Sequence, residues 1–274
     1  MKVVLFCGGM GTRLREHSDT TPKSLVPIGT EPILIHMMKY YAHFGHKDFI
    51  LCLGFRGDMI REYFLNYNPY LTQNFCMEPG GRILPEKCDI SDWRITFVDT
   101  GLHSNIGQRL LRVRPYLEGE EMFLANYSDI LSDLPMPPYL DAFRASDATA
   151  GFIAVRPSAS FHCVSVDAAG LVDCIRPSVE ANLWINGGYM ALRREIFDQI
   201  NEGEELVEAP FQRLIAAKKL YGHRYEGFWG AMDTFKEKIM FDRMYGRGER
   251  PWRVWENGQA VSKASARPAL RSVT

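Results

Sequence analysis

Residues 3–23 read VVLFCGGMGTRLREHSDTTPK, and this stretch decides the fold class. Val3-Val4-Leu5-Phe6-Cys7 is a short apolar run, β-branched and aromatic enough to form a buried strand at the start of an α/β sheet. A glycine-rich turn follows at once. Gly8, Gly9 and Gly11 lack a Cβ, so the backbone can take positive φ there and bring its N–H groups close to an anion. Arg13 adds a cation just past the turn, and Lys23 adds another on a segment that Pro22 stiffens. The set suits a polyphosphate. A tight strand-to-helix turn is the plainer alternative, and the two cations favour the phosphate. The stretch lacks the G-K-[ST] ending of a P-loop and the G-x-G-x-x-G spacing of a dinucleotide fold.

Working outward, Ile33 to Phe44 carries apolar residues at helical spacing and stops at Gly45. Phe49 to Leu53 is a second strand, and Asp58 to Phe64 a second amphipathic helix. This alternation predicts an α/β fold: a mainly parallel mixed sheet, helices on both faces, and ligands beyond the carboxyl ends of the strands. Residues 66–93 lose all periodicity among Pro69, Pro79, Gly80-Gly81 and Pro85, which predicts an irregular loop. Further strands are predicted at Trp93 to Asp99, Met122 to Asn126, Thr149 to Val155 and Met190 to Leu192. A hairpin is predicted about Ala168-Ala169-Gly170. A proline-rich turn is predicted at Pro135-Met136-Pro137-Pro138 with a helix after it through Arg144, and further helices from Arg194 to Ile200, from Leu206 to Leu220 and from Thr234 to Met244, the last with Lys236 and Lys238 on its solvated face. Residues 1–256 are expected to form one domain, and the small, polar, basic tail 257–274 to be disordered.

The 274 residues can bury a substantial core. A formal net charge of -1 with mixed signs argues against a nucleic-acid surface, so cations must be gathered locally to meet a phosphate. Six scattered cysteines without a C-x-x-C pair read as reduced packing residues. The first apolar run is too short for a signal core, and no run approaches the roughly 20 residues of a membrane span. No membrane association and a cytoplasmic location are expected.

Several residues can carry chemistry. Asp129 follows a strand end, where a carboxylate faces the ligand crevice and can reach phosphate-bound Mg2+; an Asp there also reads as a helix cap. Asp233, in GFWGAMDT, is a second acid that the fold can bring opposite it. Asn186 and Gly187, in INGGYM, offer an amide and bare backbone to sugar hydroxyls, or else an Asn-Gly hairpin turn.

GGMGTRL, then PKSLVPIG and EPILIHMMKYY, resembles the amino-terminal signature of sugar-1-phosphate nucleotidylyltransferases. FVDTG at Phe97 to Gly101, INGGYM, GFWGAMDT and PWRVWE at Pro251 to Glu256 are most similar to the glucose-1-phosphate cytidylyltransferase branch. The resemblance implies a Rossmann-like, glycosyltransferase-A-like fold and an oligomer, with residues 66–93 involved in subunit contacts and nucleotide closure; a floppy surface excursion is the other reading of that loop. It implies that Gly8, Gly9, Gly11, Thr12, Thr100, Gly101 and Arg109 meet the nucleotide, CTP in this branch; a solvated helix position is the other reading of Arg109. Arg13 and Lys23 would be catalytic, Asp129 and Asp233 would hold Mg2+, and Arg176, Asn186 and Gly187 would meet a phosphorylated acceptor.

Two departures stand out. Ser128 replaces the glycine that precedes the family's Asp, and Ile175-Arg176-Pro177 replaces its Glu-Lys-Pro. An isoleucine accepts no hydroxyl hydrogen bond, and an arginine meets phosphate as a fork instead of a point charge. The leading expectation is transfer of a nucleoside monophosphate to a sugar 1-phosphate such as glucose 1-phosphate. A different phosphorylated acceptor, or a catalytically weak nucleotide-binding homologue, are the alternatives. A glycosyltransferase ranks last, because Asp129-Ile130-Leu131 is not its D-x-D metal motif.

Overall fold

The computed structural model describes residues 1–9, 21–71, 74–85, 90–157, 162–178 and 183–256. Eight strands form the central sheet: β1 (Lys2–Phe6), β2 (Asp48–Leu53), β3 (Arg94–Asp99), β4 (Met122–Tyr127), β5 (Ala150–Val155), β6 (Ile185–Asn186), β7 (Met190–Arg193) and β8 (Leu220–Tyr225). Across the sheet they run β3-β2-β1-β4-β7-β5-β8, with β6 beside β5 on the edge that β7 also uses. The pairs among β3, β2, β1 and β4 are parallel, as is β5 with β8; β7 is antiparallel to both neighbours.

Among the described residues six α-helices flank the sheet: α1 (Ile33–His43), α2 (Gly57–Leu65), α3 (Ile106–Val113), α4 (Met136–Ala145), α5 (Ala209–Ala216) and α6 (Phe235–Gly246). The central strands read as unbroken apolar runs because both faces are covered. Val3 and Leu5 of β1 join Phe49 and Leu51 of β2 in a core with Met37 of α1, Ile60 of α2, Tyr139 of α4 and Phe241 of α6. Val4, Phe6, Ile50 and Cys52 point the other way, to Leu110 and Val113 of α3 and Leu214 of α5. Alternate residues of one strand thus feed two cores.

Four sequence expectations need correction. The helix expected from Leu206 to Leu220 is only Ala209–Ala216: Pro210 sits in its first turn, Lys218 turns left-handed at φ 58°, and Leu220 already belongs to β8. Lys238 lies not on a solvated face but 9% exposed, paired with Asp242 one turn on. Arg194–Gln199 is a 3-10 helix. Within 66–93, Phe75–Met77 pairs antiparallel with Ile83–Pro85 about Gly80 and Gly81, both at positive φ. Three-residue strands are too short to leave a pattern in sequence. The tail after Glu256 lies outside the described residues. No helix among the described residues is long and apolar enough to cross a membrane.

Candidate active site

From β1 the chain passes to β2 and β3 on one side, then crosses to place β4 on β1's other edge. That reversal opens a crevice beyond the carboxyl ends of β1 and β4, where α/β sheets take their ligands. A cavity of about 250 Å3 lies there, and Cys7, Gly9, Lys23, Tyr127 and Asp129 are among its walls.

Lys23, Asp129 and Asp233, spread over most of the chain, meet at one point. The Lys23 Nζ donates to a carboxylate oxygen of Asp129 and, at 2.6 Å, to Oδ1 of Asp233. Each is placed locally. Pro22, at φ -61° and ψ 141°, leads into the 3-10 turn Lys23–Leu25. Asp129 follows β4 and precedes the short strand Ile130–Ser132, so it caps no helix. Trp229–Ala231 pairs antiparallel with Ile130–Ser132, and the Met232 N–H donates to the Asp129 carbonyl at 2.9 Å. Thr234 and Glu237 form the capping box of α6, with Glu237 also accepting from the Asp233 N–H at 3.0 Å. The Asp233 carboxylate is thereby spared capping duty. Burial on its own would lower the Lys23 pKa, but Asp129 and then Asp233 outweigh it and raise it, which keeps the ammonium charged.

Ser128 compensates for the missing glycine. Its backbone needs no left-handed φ, and its hydroxyl donates to the Phe6 carbonyl at 2.9 Å, tying the end of β4 to that of β1.

The glycine turn works differently from the sequence expectation. Neither Gly8 nor Gly9 has a positive φ. Gly8 is required for close approach: a Cβ there would overlap the Arg109 guanidinium. Gly11, Thr12 and Arg13 lie outside the described residues.

Arg109 is no solvated helix residue. It is 4% exposed and donates to the Gly8 carbonyl at 3.2 Å, the Leu53 carbonyl at 3.2 Å and the Thr100 hydroxyl at 2.6 Å, clamping the ends of β1, β2 and β3. Burial depresses its pKa. The Thr100 hydroxyl in turn donates to the Leu53 carbonyl at 2.8 Å, so that side chain serves the frame. Gly101 adopts φ 83° with its N–H on the Asp99 carboxylate.

Asn186-Gly187 does not form a hairpin turn. β6 and β7 are two parts of one line along β5, joined where Gly187 donates to the Ile153 carbonyl and Ile153 donates to the Gly188 carbonyl. The line kinks at Gly188 (φ 72°) and Tyr189 (φ 49°). The kink is held by Asn186 Oδ1, which accepts from the Gly188 N–H at 2.9 Å, and by Asn126 Oδ1, which accepts from the Tyr189 N–H at 3.0 Å. Arg176 stands apart: it is exposed on the hairpin His162–Val166 and Val172–Pro177, opposite Cys163, and is not among the crevice walls.

Sequence reasoning missed Glu205, which lines the crevice and accepts from the Ile106 N–H at 3.2 Å at the start of α3. It also missed Trp229, whose indole Nε1 donates to the Gly187 carbonyl at 2.8 Å. Glu205 sits in an acidic surface run beside Glu204, which pairs with Arg213 instead; nothing in the letters separates the two.

A family model described as nucleotidyl transferase matches residues 2–234. The glucose-1-phosphate cytidylyltransferase of Salmonella typhi is 34% identical over 257 residues, which is 93% of this chain and 100% of that protein. Two solved structures share the fold. UDP-glucose pyrophosphorylase complexed with UDP-glucose superposes with a TM-score of 0.66 at 14% identity, over 90% of this chain and 98% of that one. HddC from Yersinia pseudotuberculosis superposes with a TM-score of 0.61 at 17% identity, over 89% and 99%. The sheet order, the crevice at its switch point and the extent of these matches lead to one conclusion: the chain belongs to the nucleotidyl transferase family.

Proposed function

We propose that this enzyme transfers CMP from CTP to the phosphate of a sugar 1-phosphate, glucose 1-phosphate in the first instance, and releases pyrophosphate. One observation carries the reading: a lysine and two aspartates remote in sequence converge at the switch-point crevice of a chain 34% identical to a glucose-1-phosphate cytidylyltransferase. The nucleophile is a phosphate oxygen that is already ionised, so the chemistry needs positioning and charge neutralisation, without a general base. Lys23 bridges the α-phosphate and the incoming phosphate. Arg13, Thr12 and the Gly8-Gly9-Gly11 backbone hold the outer phosphates, and the segment of Thr100, Gly101 and Arg109 shapes the nucleoside side. Asn186 and Gly187 meet the sugar; Arg176, on the exposed hairpin outside the crevice walls, is left out of this scheme.

The carboxylates of Asp129 and Asp233 both reach one cationic nitrogen, so their oxygens converge on a point that suits a hard cation. Among the described residues no group of three metal-ligating side chains exists, so phosphate oxygens would complete the shell. Mg2+ bound there would supply charge neutralisation at the phosphates. Residues 1–256 act as one catalytic unit, in a homo-oligomer in the cytoplasm.

A pyrophosphate-release assay crossing four nucleoside triphosphates with a panel of sugar phosphates tests the reading. Release confined to CTP with glucose 1-phosphate is expected; release absent for every pair defeats it. A second reading, CTP with a different phosphorylated acceptor, is motivated by Ile175, which is 62% exposed and cannot accept a hydroxyl hydrogen bond. The same panel separates the two.

A further inference from the structure

Trp229 links the strip that carries Asp233 to the kinked loop of Asn186 and Gly187. The strip Phe228 to Asp233 is sewn to the segment that follows β4. Phe228 donates through its N–H to Asp133 Oδ1 at 2.8 Å, and its carbonyl accepts from the Ser132 hydroxyl at 2.7 Å. Trp229–Ala231 pairs with Ile130–Ser132, and the Met232 N–H holds the Asp129 carbonyl. One end of this strip carries Asp233. From the other end, the Trp229 indole reaches across to the Gly187 carbonyl.

Gly187 has little freedom of its own. Its N–H is spent on Ile153, and a Cβ would come within 2.9 Å of the Ile153 side chain. Its carbonyl is the remaining handle, and the next two residues are both left-handed, a costly state for Tyr189. A loop in that state keeps one shape only when its polar groups are tied from outside. Asn126 ties the Tyr189 N–H, and Trp229 ties the Gly187 carbonyl.

We infer that Trp229 is a positioning residue for the acceptor: its indole N–H sets the angle of the Gly187 peptide and hence of the neighbouring Asn186 amide, in register with Asp233. The inference rests on the proposed acceptor role of Asn186 and Gly187. It predicts a selective defect. Loss of the donor loosens the loop that faces the sugar and leaves the phosphate-binding side untouched.

The test replaces Trp229 in the full chain with phenylalanine and, separately, with β-(3-benzothienyl)alanine, which carries sulfur where the indole has N–H. Each is expected to raise the KM for the sugar phosphate about three- to tenfold, the range of one neutral hydrogen bond, with the KM for CTP unchanged. Substituting 7-azatryptophan, which keeps the N–H, is expected to restore the acceptor KM. Asn186→Ala serves as the reference. A raised acceptor KM in Asn186→Ala with none in the two donor-free variants overturns the inference while the acceptor site stands. An unchanged acceptor KM in Asn186→Ala removes the acceptor role of the loop, and the inference with it. Equal rises in both KM values would make Trp229 a general scaffold residue, which also overturns it.

Discussion

The backbone N–H of Met232 donates to the carbonyl of Asp129 at 2.9 Å, and this bond sets the register in which two carboxylates more than a hundred residues apart face one lysine. The relationship is backbone-made. Side-chain substitution at Asp129 or Asp233 can therefore change the charge at the crevice while the register persists.

Lys23→Met removes the ammonium that holds those carboxylates together. Turnover is expected to fall about 100-fold or more, the scale of losing one charged donor at a transition state. Asp129 and Asp233 would then repel across the gap, so the melting temperature in metal-free buffer is expected to drop, and added Mg2+ to raise it further than in the wild type. Scanning fluorimetry and the pyrophosphate assay measure both. Wild-type turnover in the folded variant removes Lys23 from the chemistry.

Gly8→Ala places a methyl where the Arg109 guanidinium lies. Either the turn or the clamp must move. Overpacking of this kind costs about 1–3 kcal/mol, and a displaced Arg109 gives up its bonds to the Gly8 and Leu53 carbonyls and to the Thr100 hydroxyl. A lower denaturation midpoint and weaker nucleotide binding are expected, read by urea titration and calorimetry. A wild-type midpoint would show that the clamp does not depend on this contact.

Ser128→Gly restores the residue usual in the family yet is expected to destabilise this chain. It deletes the hydroxyl that ties β4 to the Phe6 carbonyl and adds chain entropy to the unfolded state, at a cost of about 1–2 kcal/mol. Thermal melts decide it; a rise in melting temperature would contradict the bond's value.

The layered fold was legible because both faces of β1, β2 and β4 are covered, which writes strands as apolar runs that composition alone reveals. That the fold can bring Asp233 opposite Asp129 was suggested by the motifs that hold them; that both carboxylates close on Lys23 was not. What Arg109 does was not: a helix residue written between Gln108 and Leu110 gives no sign that it reaches under the glycine turn to three strand ends. Asn186-Gly187 left a hairpin turn open as one reading, because Asn-Gly spacing is local whereas the ladder to Ile153 that makes it a strand is not. Trp229 fell out of view for the same reason: its partner Gly187 lies 42 residues away.

His36 makes stability acid-sensitive. It is fully buried on α1, its Nε2 bonds the Ile28 carbonyl at 3.0 Å, and Tyr245, Trp252 and Trp255 surround the ring. Burial, the main cause, pushes its pKa down to about 3, against 6.5 when unfolded. The folded state therefore refuses a proton that the unfolded chain takes up below about pH 6.5. Stability is full above that pH and is lost as pH falls, at about 1.4 kcal/mol per pH unit until the folded pKa is reached. In His36→Gln the amide can still donate to Ile28 but does not titrate. Urea midpoints at pH 7, 6 and 5 should fall less steeply for the variant, by the slope of one proton. His46, held near 4 chiefly by burial, is present in both proteins and cancels from the difference. Parallel pH profiles for the two proteins would mean that His36 is not kept neutral by the fold.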